Sequence, residues 1–274
     1  MTAHPDLPEL EVVPTQALRP HEEIEPGRVE PLIKSLRADR VLKNPPMVLP
    51  LKASDDYVVL DGANRVMAFG RMGIPHILVQ IVRPDLHEVN VKSWNHALRG
   101  NSRTPLVSGL REIAGTHLVD GHVEESKVKP ALRVLEPGGE QHSLYADSNT
   151  LEERVRVINE AAATFLDRYQ IERTLSFAPL ELQQVYPDLA GLIVYPHFTL
   201  QQVRRMAQEG WTFPAGLTRF IISPRTLHVN YPLEELTSAE PLATKRSRMR
   251  KWVAGQVDKR EIRFYAESTF LFDE

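Results

Sequence analysis

Apolar and polar positions change rhythm repeatedly along the first third of the chain, and each change predicts an element. "LEVVP" (Leu10 to Pro14) predicts a short strand. After the polar "RPHEEIEPG", Val29, Leu32, Ile33 and Leu36 recur at the spacing of one helical face. That spacing predicts a helix over "RVEPLIKSLRADRV", with Pro31 in its first turn, where a missing N–H costs little. "PPMVLPL" and "DYVVLD" predict two strands joined by the polar "KASD". A helix after Gly62 stops near Gly73-Ile74-Pro75, and "HILVQIV" predicts a buried strand.

Val89, Val91 and Ser93 alternate with Asn90, Lys92 and Trp94, so "HEVNVKSW" predicts another strand. "PLVSGLREIAG" predicts helix, and "ALRVLEPGGEQHSLYA" a hairpin turning at Pro137-Gly138-Gly139. The clearest helix runs from Leu151 to Tyr169, with Thr150 and Glu153 at capping-box spacing. Thr199 and Gln202 repeat that start before "QQVRRMAQEG". The last third predicts strands at "TRFIIS" and "TLHVNYP", a helix from Ala243 to Val257, and two strands in "REIRFYAESTFLF". The fold class expected is α/β, with a domain boundary within residues 84–105, placed at 88/89.

Composition narrows the function classes. Of 274 residues, 42% are apolar and 25% charged, the balance of a globular chain. A net charge of -3 without a basic tail gives no sign of a dedicated nucleic-acid binder. The absence of cysteine excludes disulfides, thiolate metal sites and a cysteine nucleophile. No signal peptide or membrane-length apolar run is legible, so the expected place is the cytoplasm.

The turn "LDGANR" carries the main candidate chemistry. A strand ending at Asp61 and a helix opening at Gly62 leave N–H groups unpaired, and these donors with the helix dipole favour an anion. Gly62 permits close backbone approach, and Arg65 adds a charged fork suited to phosphate. Asp61 beside an anion is a conflict unless it binds the Mg²⁺ of a nucleotide or handles a proton. Read alone, the turn also fits a plain helix cap.

"LDGANRVMAFGRMGIPHILVQIV" resembles the second signature box of the ParB/sulfiredoxin superfamily, and "RVEPLIKSLRADRVLKNPPMVLPL" is similar to the first. Ala63 stands where sulfiredoxins have their catalytic cysteine, and the Gly-Glu-Arg-Arg of partition proteins is missing. A narrower likeness extends over nearly the whole chain. "HEEIEPGRVE", "VVLDGANR", "SWNH", "PAGLTRFIIS" and the ending "YAESTFLFDE" resemble the free L-serine kinases of this superfamily, their staphylococcal branch in particular.

That resemblance implies a ParB/sulfiredoxin-like nucleotide-binding domain (1–88) and a C-terminal α/β domain (89–274) completing an amino-acid pocket. It implies Mg²⁺-dependent phosphoryl transfer from ATP or ADP to free L-serine, giving O-phospho-L-serine for cysteine or siderophore-precursor biosynthesis. Glu22 takes the place of the family's catalytic base, with Glu23 the neighbouring alternative, and Asp61 that of its essential aspartate. Phosphate contacts carry over to Arg28, Ser35, Gly62, Asn64 and Arg65. Many relatives have histidine where Ala63 or Asn64 stands here, and Asn64 keeps only a neutral donor.

Trp94 and His96 of "SWNH", with Thr218 and Arg219, are candidates for the amino-acid pocket; Arg219 suits a carboxylate by a bidentate contact. His117 and His122 flank Asp120 without a recognised metal spacing. "KRSRMRK" (Lys245 to Lys251) is expected as a solvated helix face. The alternative function, a nucleotide-binding transcriptional regulator, would use that helix to contact DNA.

Overall fold

Alternation within two short strands decides where the layers of this molecule meet. In the computed structural model, which describes residues 7–52, 54–101, 106–121 and 128–264, Met47, Leu49, Val58 and Leu60 enter one apolar cluster. Val48 and Val59 enter another. Successive strand side chains point to opposite faces, so this sheet is buried on both sides.

The first part runs β1 (Leu10–Pro14), β2 (Leu18–Pro20), α1 (Pro26–Asp39), β3 (Val41–Leu42), β4 (Met47–Pro50), β5 (Tyr57–Asp61), α2 (Ala63–Arg71) and β6 (His76–Ile81). Then come β7 (Glu88–Ser93), β8 (Asn95–Arg99), β9 (Thr116–Asp120), β10 (Leu132–Leu135), β11 (Gln141–Ala146) and α3 (Leu151–Leu166). The remainder is β12 (Gln170–Thr174), α4 (Pro179–Val185), β13 (Leu189–Val194), α5 (Leu200–Glu209), β14 (Thr218–Ser223), β15 (Tyr231–Pro232), α6 (Leu233–Thr237) and α7 (Leu242–Asp258).

A mixed sheet in the order β1-β6-β4-β5-β2 carries α1, α2 and α7 on one face. An antiparallel sheet, β12-β8-β13-β10-β11-β9, packs with α3 and α5 in the other cluster, which reaches the opposite face of the first sheet. The ribbon β14-β7 leads into β8, so Trp94 sits at a corner where its N–H donates to Leu217.

Several expectations are corrected. The first helix begins at Pro26, so Pro31 lies inside it rather than in its first turn. It withholds the N–H that would pair with Gly27, a cost offset by burial of Val29, Ile33 and Leu36 at about 1.5–3 kcal/mol per side chain. "PLVSGLREIAG" forms only a 3₁₀ turn, Gly109–Glu112, in its described part. "TLHVNYP" keeps strand only at Tyr231–Pro232, because His228 and Asn230 take positive φ and turn the chain. Residues 261–264 form no strand, and the rest of the expected final pair lies outside the described residues.

Both start signals form. Thr150 accepts from the Glu153 N–H, although the Glu153 carboxylate turns to Arg156 at 2.6 Å instead of back to the cap. Thr199 and Gln202 make the full reciprocal box.

Candidate active site

A cleft of about 770 Å³ opens where α1, the β5–α2 turn and the segment before β14 converge. It brings together Glu22, Arg28, Ser35, Asp61, Gly62, Asn64, Arg65, Trp94 and Thr218. His96 and Arg219 lie outside its lining.

Gly62 caps α2 in the left-handed region, at φ 95°, and no side chain caps the helix. The N–H groups of Ala63, Asn64 and Arg65 are therefore the free donors of the first turn. Asn64 uses its Oδ1 to accept from the Glu25 N–H at 3.3 Å, which leaves its NH₂ as a donor. Arg65, 17% exposed at its side chain, donates to Asp61 Oδ2 at 2.9 Å and to the Asn44 carbonyl. Burial pushes its guanidinium below the ordinary value and Asp61 opposes that. Arg225 reaches the same Asp61 oxygen from the far side. Two guanidiniums against one carboxylate leave positive charge in surplus, which removes much of the conflict between Asp61 and an anion. Arg225 has no motif of its own to announce it.

Glu22 is held by the chain that precedes β14. Its Oε2 accepts from the Gly216 N–H at 2.8 Å, and its Oε1 from the Thr218 N–H at 2.5 Å and the Thr218 hydroxyl. The backbone pairing of Phe213 with His21 and Glu23 brings the two segments together. Buried His21 donates from Nδ1 to the Val59 carbonyl at 2.6 Å, and its Nε2 lies 2.8 Å from the Thr218 hydroxyl. Desolvation lowers the His21 pKa, with Glu22 and Val59 opposing. Glu23 is exposed at the rim of the cleft.

His96 is buried beneath this site. Its Nε2 donates to the Gly216 carbonyl at 3.2 Å and its Nδ1 accepts from the Tyr195 hydroxyl at 3.3 Å. Those partners fix a neutral tautomer, and burial lowers the pKa accordingly. Arg219 stacks its guanidinium on the Trp94 ring, 5.1 Å from the centroid. On this side of the cleft the lining guanidinium is that of Arg173 on β12, which joins Arg28 and Arg65 of the first part. It binds Glu25 and lies so close over Gly216 that an added Cβ would sit 2.0 Å from it.

On the α1 side, Arg28 pairs with Glu25 at 2.7 Å and Ser35 donates to Asp39 at 2.9 Å. Both remain exposed.

The basic cluster on α7 is not a uniformly solvated face. Lys245 is fully buried and donates to the Leu236 carbonyl at 2.6 Å, since it shares an inward helix face with Met249. Arg246 and Arg250 pair with Glu11, and Arg248 with Glu235 and Glu240. His117 stacks on Tyr145 and pairs with Asp147. Asp120 instead binds Arg111 and His142, and His122 lies outside the described residues. Among the described residues, no group of three acidic or histidine side chains could hold a metal by itself. No helix there is long and apolar enough to cross a membrane.

No protein-family model matches the chain. It is 32% identical over 233 residues to an ATP-dependent L-serine kinase of Staphylothermus marinus, covering 82% of this chain and 90% of that one. It is 25% identical over 271 residues to the ATP-dependent L-serine kinase SbnI of Staphylococcus aureus, covering 97% of each. The solved structure of C-terminally truncated SbnI matches at a TM-score of 0.74 and 22% identity, over 92% of this chain and 97% of that one. A free serine kinase in complex with AMP matches at 0.69 and 16%, over 84% and 95%. The structural likenesses show a shared fold, and the sequence likeness shows kinship: the chain belongs to the family of ATP-dependent L-serine kinases.

Proposed function

We propose that this protein transfers the γ-phosphoryl group of ATP to the hydroxyl of free L-serine, giving O-phospho-L-serine and ADP. The observation that carries this reading is the fixed Glu22 carboxylate, which shares one cleft with the unpaired N-terminus of α2. Phosphoryl transfer needs an oriented acceptor hydroxyl and positive charge around the transferred group. Kinship with ATP-dependent L-serine kinases supplies the acceptor and the donor.

In this reading the nucleotide phosphates take the free N–H groups of Ala63, Asn64 and Arg65. The Asn64 amide, Arg65, Arg28 and Ser35 surround them. Glu22 accepts the serine proton; its Oε2 carries a single backbone bond, so acceptor capacity remains there. The cleft fits Mg²⁺ borne by the phosphates. Asp61 engages both arginines through Oδ2, which leaves Oδ1 as a ligand, and Mg²⁺ commonly takes one or two carboxylates beside phosphate. The ion would supply charge neutralisation on the transferred group.

Arg219 braces Trp94, so the serine carboxylate is assigned to Arg173, whose fork lies in the cleft. Residues 1–88 then furnish the nucleotide half, and 89–274 complete the amino-acid pocket. An enzyme using ATP and a free amino acid belongs in the cytoplasm. Phosphoserine is an activated serine, suited to replacement at its β-carbon on the way to cysteine or a siderophore precursor.

The test is incubation of the purified protein with L-serine, Mg²⁺ and either ATP or ADP, followed by mass detection of phosphoserine. Product with ATP supports the reading in full. Product with ADP alone changes the donor. No product with either overturns it.

A further inference from the structure

Gln80 is a fully buried amide on β6, an interior strand of the mixed sheet, and all its side-chain bonds go to one short segment. Its Nε2 donates to the Pro224 carbonyl at 2.9 Å. Its Oε1 accepts from the Thr226 N–H at 2.9 Å and from the Thr226 hydroxyl at 2.8 Å. A buried amide is expensive unless satisfied, and this one is satisfied only by a chain arriving from 144 positions away. The residue between the two clamped positions is Arg225.

Asn44 ties the same segment down from the other side. Its side-chain oxygen accepts from the His228 N–H at 2.9 Å, while its carbonyl accepts from Arg65. The two arginines on Asp61 are thus braced by one residue. Arg225 lies outside the cleft lining and reaches the site at Asp61 Oδ2.

We infer that Arg225 is a positioning residue for phosphoryl transfer, holding the Asp61 carboxylate so that Oδ1 faces the cleft. The inference rests on the proposed kinase reading. Arg65, held by the Asn44 carbonyl, binds Oδ2 from one direction only. A second guanidinium, on a separately clamped segment, fixes the plane. Because Arg225 does not touch the cleft, its loss misplaces Asp61 without removing a phosphate contact.

The test compares Arg225→Gln and Arg225→Lys with the wild type in steady-state phosphoserine formation, beside calorimetric titration with ATP. Arg225 is 41% exposed at its side chain, so neither substitution opens the core. Arg225→Gln is expected to lower kcat about 10-fold, with the KM for serine and the ATP affinity within about twofold of wild type. Arg225→Lys keeps the charge and one donor and is expected to recover part of kcat. An unchanged kcat in Arg225→Gln overturns the inference while leaving the kinase reading in place. A loss of ATP affinity as large as the loss of kcat overturns it in favour of a direct phosphate contact. A wild-type protein that makes no phosphoserine overturns both.

Discussion

Gly216 donates its N–H to Glu22 Oε2 at 2.8 Å, across 194 positions of the chain, and accepts from His96 on its other side. The proposed base is therefore held by a line running from Tyr195 through His96 and Gly216. Glu22→Gln puts an NH₂ group against one of the N–H donors from Gly216 and Thr218. It also cannot take up a proton. We expect kcat to fall by roughly 10²-fold or more with ATP affinity nearly unchanged. The donor clash costs stability by about 1–3 kcal/mol. Kinetics, titration and a thermal melt read the three effects separately, and a fully active variant would move the role to Glu23.

Gly216→Ala tests the same corner from the acceptor side. Gly216 has φ 72°, and the Arg173 guanidinium occupies the space a Cβ would need. Arg173 can swing away, but the left-handed backbone still costs about 1–2 kcal/mol. The expected result is a serine KM raised about 10-fold or more, with ATP binding retained. An equal loss for both substrates would remove Arg173 from the amino-acid pocket.

Asp61→Asn should separate binding from transfer. It deletes the negative charge beside the proposed phosphate site and frees Arg65 and Arg225 from their shared oxygen. ATP should therefore bind more tightly in the presence of a chelator, while phosphoserine formation is lost. Titrations with and without Mg²⁺ check both halves. Weaker binding without Mg²⁺ would show that Asp61 is needed chiefly to place the arginines.

Stability should fall on mild acidification. Burial lowers the pKa of His96 and of His21 from an ordinary 6.5. The unfolded chain then binds more protons than the folded one below that value. Their contribution is complete above about pH 6.5 and is lost as pH falls through the folded-state values. Urea unfolding at pH 7.5 and pH 5.5 measures the loss, and His96→Gln should reduce the difference between the two.

Much of this was legible in the chain itself. The strands β4 and β5, the glycine turn and the two threonine starts appear where the sequence places them. "LAGLIV", the strand β13, carries no expectation of its own, since a short, mostly buried apolar run is not told from a buried helix segment by periodicity alone. Pro31 lies deeper in its helix than the apolar spacing predicts, because Pro26 already opens α1 and packing outweighs one missing N–H. For the site, the turn announces itself through glycine and charge. Arg173 and Arg225 do not, because strand pairing brings the first to the cleft and the Gln80 clamp holds the second behind Asp61, and neither leaves a local pattern.

Lys245→Met keeps the length of a buried stem and removes its charge. Desolvation already lowers the pKa of this amine, so stability should change by less than about 1.5 kcal/mol and phosphoserine formation should persist. Lys245→Glu buries a carboxylate against the Leu236 carbonyl and should cost about 3 kcal/mol or more. Urea unfolding distinguishes them.

Glu22 meets Thr218 across 196 positions, Asp61 meets Arg225 across 164, and Glu25 meets Arg173 across 148. During synthesis, then, the glycine turn and the carboxylates of Glu22, Glu25 and Asp61 emerge from the ribosome long before the residues that steady them. A chain interrupted before Gly216 lacks the donors that fasten Glu22 and much of the apolar cover of the first sheet. The arrangement around Glu22 and Asp61 is therefore complete only once the chain has passed Arg225.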